Sequence, residues 1–349
     1  MPPSSLTLNY DALLSTTLFN YRRKFEDAIS TANAFYFLLK REGAIKTKDN
    51  IGERAQIALM YELGQADSYS GYDQLDTTPM DGITSAFFDW RQAAVPIAIS
   101  GKEEKQNRSE AQLIDLLEGK TKQAEMGIVE FFNKRLLQGA GGTSITSAYT
   151  SSINGSSFID PLPKLVAYDP TASVVVGNIN QSTYTWWRNK TKNSTSTTYA
   201  GLRKDLRNLY NTCSLGPGGS PNLHIADQAV FEVYVAALEA MHQNPSYQKA
   251  DLPFDTVAFN GQPVVHDEFV PDVQGGSATQ STTSGTWWML NTKFFEVQVQ
   301  ADSNFAPTPF QKPVGQDAKV AHILWMGAAL CSNRRKQGVA GGIDTTIAS

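Results

Sequence analysis

From Ala55 to Trp90 the chain carries no Lys or Arg, while Glu62, Asp67, Asp73, Asp76, Asp81 and Asp89 all fall in that interval. Apolar residues alternate over Arg54 to Gly64 (Ile57, Leu59, Tyr61, Leu63) and again over Ile83 to Ile99 (Phe88, Trp90, then Val95, Ile97, Ile99), the period of a half-buried strand. Gln65 to Gly82 between them is rich in Gly, Asp, Ser and Tyr and reads as a tip. The pattern predicts one long β-hairpin with an acidic end. A two-stranded ribbon has no core of its own and is marginal alone in water. Such a ribbon needs a surface to lie on, which points to an assembly more than to an active site.

A long amphipathic helix follows. Ser109-Glu-Ala-Gln112 is a capping-box pattern, and Leu113, Leu117, Ala124, Ile128, Phe132 and Leu136 form one stripe. Gly139 and Gly141-Gly142 end it. A helix of about 28 residues spans roughly 42 Å, a strut rather than an ordinary core element. Gly119 and Gly127 inside it each cost about 1 kcal/mol relative to Ala, so they mark close packing or a bend.

Before the ribbon, residues 1 to about 50 read as an arm. Leu18, Phe25, Ile29 and Phe35 fall at mostly helical spacing, and Ala34 to Arg41 continues helical up to Gly43. Arg22-Arg23-Lys24, Lys46 and Lys48 make this arm basic. That is either a solvated face or a surface for nucleic acid or an acidic neighbour. After the long helix, 143–160 reads as loop, and Val174 to Val176 as a short buried strand before Trp186-Trp187. Thr191 to Thr198 reads as exposed low-complexity chain. Helices are expected over Leu202 to Cys213 and Gln228 to Met241, with a Gly216-Pro-Gly-Gly219 turn and a strand at Leu223 to Ile225 between them. Strands follow at Val257–Phe259, Gln262–His266, Trp287–Leu290 and Phe295–Val299. The last apolar segment is Val320 to Cys331, followed by Arg334-Arg335-Lys336. The class is α+β, without internal repeats.

With 349 residues, 41% of them hydrophobic, the chain is long enough for a substantial core. The mean hydropathy of −0.30 is that of ordinary globular material, and no run approaches the ~20 apolar residues of a membrane span. No secretory signal is read at the start, and Cys213 and Cys331 alone make no disulfide framework, so a reducing cytoplasm is expected. The formal net charge of −4 excludes a globally basic nucleic-acid binder and leaves only a local patch.

The chain is poor in recognisable chemistry. His224, His242, His266 and His322 stand in no metal-ligand spacing. His266-Asp267-Glu268 reads as a strand end entering a turn. Gly139-Ala-Gly-Gly-Thr-Ser144 follows a helix rather than a strand and lacks the Lys of a phosphate loop, as does 216–219. No nucleophile motif is present. Trp186-Trp187 and Trp287-Trp288 suit core or interface filling better than a ligand platform. No catalytic residue, cofactor or metal site is expected.

Taken in order, Tyr69-Ser-Gly-Tyr-Asp-Gln-Leu-Asp-Thr-Thr-Pro79, Phe88-Asp-Trp-Arg91, Ile99-Ser-Gly-Lys102, the long helix, Gly177-Asn-Ile-Asn-Gln-Ser182 with Trp186-Trp187, Phe259-Asn-Gly-Gln-Pro-Val264 with Asp267, and Leu330-Cys-Ser-Asn-Arg-Arg335 form a recognisable series. This series resembles the major capsid proteins of tailed phages, which have the Hong Kong 97-like fold. The resemblance runs from about Ala34 to Ile343.

It implies an N-terminal arm (1–50), an extended loop (51–107), a spine helix with peripheral domain (108–164), an axial domain (about 165–300) and a return to the peripheral domain with a tail (301–349). It implies a homo-oligomer of hexamers and pentamers closing an icosahedral shell around double-stranded DNA, with portal and decoration proteins as further partners and no membrane. Location would be the virion capsid, and the host cytoplasm during assembly. With the arm beginning almost at Met1, a separate scaffolding protein is implied. With no Lys in the ribbon, crosslinking through a loop lysine is not expected.

Assembly contacts are expected at Tyr69, Tyr72, Asp73, Asp76, Trp90 and Arg91 of the ribbon. Their expected basic counterparts are Arg22, Arg23 and Lys24, Lys120 with Lys122, and Arg334, Arg335 and Lys336. Two alternatives remain: a protein nanocompartment of the same fold, and a cytoplasmic hydrolase using His266 and Asp267.

Overall fold

The computed structural model describes residues 34–49, 52–62, 64, 66, 68, 70–72, 81–106, 110–138, 159–239, 257–267, 269–270 and 284–347. One 14-residue strand, β14 (Ala318–Cys331), organises the first of two main sheets. It pairs antiparallel with β4 (Arg91–Ser100), from Ala318↔Ser100 to Gly327↔Arg91. Its far end pairs with β12 (Phe295–Gln300), which pairs parallel with β1 (Ile45–Lys48). The short β13 (Ala306–Pro307) completes this five-stranded sheet.

The second sheet has six strands in the order β7-β15-β11-β8-β10-β9: Lys190–Asn193, Gly338–Asp344, Ser284–Leu290, Leu223–Ala226, Gln262–His266 and Val257–Phe259. Successive residues of a strand face opposite sides, and β11 uses this to join two cores. Trp287 faces helices α5 (Tyr199–Ser214) and α6 (Gln228–Glu239), while Trp288 faces the larger core. Both rings are fully buried, so this pair fills the interior.

The larger core collects the five-stranded sheet, the long helix α3 (Glu110–Leu137), helix α1 (Ala34–Arg41) and the root of the ribbon. Ala124, Ile128, Phe132 and Leu136 of the expected stripe are buried. Phe132 meets Trp325 edge-on at 4.7 Å and Phe305 at 5.5 Å. The expected cap Ser109 lies outside the described residues.

Several expectations change. The return strand does not run on to Ile99. Strand β2 (Arg54–Met60) pairs with β3 (Ile83–Asp89) from Arg54↔Asp89 to Met60↔Ile83, and the chain then breaks at Trp90 to enter the other sheet as β4. Residues 34–48 belong to the core rather than to an arm, because Phe35, Leu38 and Leu39 are fully buried and β1 is a sheet strand. Lys190–Asn193 is an edge strand rather than loose chain, and Ser194 beyond it is buried. The C-terminal β15 lies in the six-stranded sheet, whereas β12 lies in the other one.

Candidate assembly surface

The ribbon is anchored at its root by the chain's own core. Ala55 and Leu59 on β2 and Ala86 and Phe88 on β3 point inward and are buried. They rest on a small hairpin of β5 (Val175–Val176) and β6 (Ile179–Asn180), whose turn residues Gly177 and Asn178 both have positive φ, 62° and 65°. This is the Gly/Asn conformation favoured in two-residue hairpin turns. The Phe87 amide donates to the Gly177 carbonyl at 3.0 Å. A Cβ at Gly177 would stand 2.9 Å from that of Ala86.

Tyr61 stacks on Trp186, with centroids 4.9 Å apart, and its hydroxyl donates to the Asp81 carbonyl. Trp90 donates its indole N–H to the Gly52 carbonyl at 3.1 Å. Asp89 takes Arg54 at 3.2 Å and Arg91 at 3.3 Å. Trp90 and Arg91 therefore help root the ribbon within the chain itself. On the outer half, Met60 and Ile83 are cross-strand partners and both are exposed, at 72% and 67%. Tyr72 is fully exposed. Tyr69, Asp73 and Asp76 lie outside the described residues, as do Arg22, Arg23 and Lys24.

The 334–336 cluster is not a basic surface. Arg334 is fully buried: its guanidinium donates to the Leu165 carbonyl at 2.7 Å, the Gln181 side-chain oxygen at 2.8 Å and the Trp187 carbonyl at 3.3 Å. It also lies 5.8 Å from the Trp187 ring centre. Lys336 is 3% exposed and donates to the carbonyls of Leu215 and Gly216 at 2.9 Å and of Ser214 and Gly219 at 3.4 Å. Its charge closes the C-terminal end of α5, where carbonyls lack helical partners. The glycine turn 216–219 thus aims carbonyls at a cation rather than amides at a phosphate. Burial lowers the Lys336 pKa, opposed by Cys213. Only Arg335 is exposed. A run of three cations in sequence says surface, and nothing in it announces the carbonyls that fold around two of them.

On the long helix, Lys122, Gln123, Met126, Glu130 and Lys134 face outward. Lys120 pairs with Glu103 at 3.4 Å. A Cβ at Gly119 or Gly127 would meet nothing within 4 Å among the described residues, so no described contact explains either glycine.

His266 ends β10, and Asp267 opens a turn in which its carboxylate accepts the Phe269 amide at 3.1 Å. His224 is fully buried among the rings of Phe259, Tyr210 and Trp287. Burial lowers its pKa to about 3. Burial also pushes the Cys213 and Cys331 thiols up to about 12, away from reactive thiolate. Among the described residues no helix is long and apolar enough to cross a membrane.

No family model matches the sequence, and no curated protein does. Solved structures share the fold. The capsid subunit of cyanophage A-1(L) aligns with a TM-score of 0.60 and 13% identity over 85% of this chain and 90% of that one. The capsid of the empty GTA particle gives 0.53 and 8% over 87% and 89%. The capsid of Myoviridae phage XM1 gives 0.52 and 11% over 88% and 92%. The ribbon, the long helix and the two sheets together make the Hong Kong 97-like α+β fold of tailed-phage capsid proteins.

Proposed function

We propose that this chain is the major capsid protein of a tailed double-stranded DNA phage. Copies would form hexamers and pentamers, closed point groups in which each subunit's surfaces meet their complements, and tile an icosahedral shell around the genome. The observation that carries this reading is a capsid fold that extends over 85% of the chain and 90% of a phage capsid subunit. The anatomy supports it: the acidic ribbon extends from a firmly held root and carries an exposed apolar pair and Tyr72 away from it.

In this reading the ribbon lies across a neighbouring subunit, with charge setting register more than affinity. Scaffolding, portal and decoration proteins would be the other protein partners, and the chain would pass from host cytoplasm to virion capsid. The test is expression with and without its scaffolding protein, followed by sedimentation and absorbance at 260 and 280 nm. Large particles support a shell. Nucleic acid inside them supports a capsid, whereas protein cargo alone would favour a nanocompartment.

A further inference from the structure

Between positions 188 and 207 the sequence carries six cations, Arg188, Lys190, Lys192, Arg203, Lys204 and Arg207, and one carboxylate, Asp205, in a chain of net charge −4. Asp205 is already engaged. Burial pushes its pKa up, but hydrogen bonds from Ser196 and Ser194 and the Lys192 ammonium outweigh this and lower it. Lys190, Lys204 and Arg207 have no carboxylate partner among the described residues.

The fold puts three of these cations on one open face. Thr198 caps α5 by accepting the Gly201 amide, and Leu202, Leu206, Leu209 and Cys213 fix the opposite side of the helix in the smaller core. The outward side forms an open groove of about 390 Å³, lined by Ala200, Arg203, Lys204, Arg207, Asn208 and Asn211. Among the described residues its polar lining is made of cations and amides. Arg203 and Arg207 stand about one helical turn apart.

We infer that this groove is a contact site for the phosphate backbone of double-stranded nucleic acid, read without sequence preference. This rests on the shell reading and names the surface that meets the enclosed polyanion. The chemistry favours nucleic acid over the acidic ribbon of a second copy. The ribbon's outer half carries Met60, Ile83 and Tyr72, which need an apolar receptor, and among the described residues the groove offers only Ala200. Protein interfaces place aromatic and aliphatic anchors at their centres, whereas phosphate contacts come from Arg, Lys and Asn donors.

The test is titration of the unassembled full chain with a short random-sequence duplex over a salt series. R203Q/K204Q/R207Q should bind at least about tenfold more weakly at low salt, with the slope of log K against log salt shallower by about 2–3. R207Q alone, at an exposed position, should lose about one unit of slope. K122Q/K134Q on the long helix should keep the original slope. Unchanged binding by the triple and single variants would overturn the inference, as would an equal loss in K122Q/K134Q. Triple-variant subunits that bind duplex normally but fail to assemble would make the groove a subunit contact and also overturn it. Failure of the unaltered chain to form shells would count against the shell reading, and the duplex titration would still decide the groove.

Discussion

The ring of Tyr61 lies on that of Trp186, 21° from parallel, and this stack is where the outgoing strand of the ribbon leaves the body of the subunit. Leu59 to Tyr61, Trp186 and Trp187 line a cleft of about 120 Å³ with the segment Ser332 to Arg335. The ribbon's take-off angle is therefore set by aromatic packing against the same loop that carries Arg334. Replacing Trp186 by Ala should cost about 1–3 kcal/mol, the stack plus part of a half-buried ring. Assembly should suffer more than folding, giving irregular particles from a subunit that still unfolds cooperatively. Urea denaturation read beside micrographs checks this; regular shells from Trp186→Ala would show that the stack does not aim the ribbon.

Arg334 ties the 162–167 segment, Gln181 and Trp187 together from one side chain. Arg334→Ala would leave buried carbonyls without a donor, and such losses run to about 3–5 kcal/mol. Arg334→Lys should recover little, since one ammonium cannot reproduce a planar fork. Equilibrium denaturation reads the difference; near-wild-type stability in either variant would contradict the contact set.

His224 is neutral in its aromatic box, with a folded pKa near 3 against an ordinary 6.5. A depressed value means the unfolded chain binds the proton first on acidification. Stability from this group is full above pH 6.5 and falls as pH drops toward 3. One unit is worth about 1.4 kcal/mol, so the loss is on the order of 5 kcal/mol at the acid end. His224→Phe should flatten this part of the stability–pH curve, and an unchanged slope between pH 6 and 4 would refute the assignment.

Met60 and Ile83 can be altered without touching the core. Met60→Ser with Ile83→Thr removes an exposed apolar pair, and Asp73→Lys with Asp76→Lys reverses charge in the acidic segment that follows β2 in the sequence. Both double variants should keep subunit stability within about 0.5 kcal/mol and should lower shell yield. Normal particles from both would remove ribbon docking from the account.

Much of this architecture is legible in the residues because period carries it. The alternation through Ile57 and Leu59 gives the ribbon, and the stripe through Ile128 and Phe132 gives a 28-residue helix at Glu110–Leu137. The break at Trp90 is not legible. Phe88 and Ile97 keep an apolar alternation on either side of it, and nothing local says that the chain changes sheets there. The Gly177-Asn178 turn was not read from the sequence, and its role as the ribbon's seat depends on Ala86 and Phe88 arriving from a distant segment. Charge misled twice. Arg334 and Lys336 read as surface and are buried, while the groove cations at 203–207 hide within an ordinary amphipathic helix.

Electron microscopy of the chain, expressed alone and with a candidate scaffolding protein, tests the central claim most directly. The account predicts closed shells or capsomer rings in at least one of the two preparations. A chain that stays monomeric in both, at concentrations where shell proteins assemble, would contradict it.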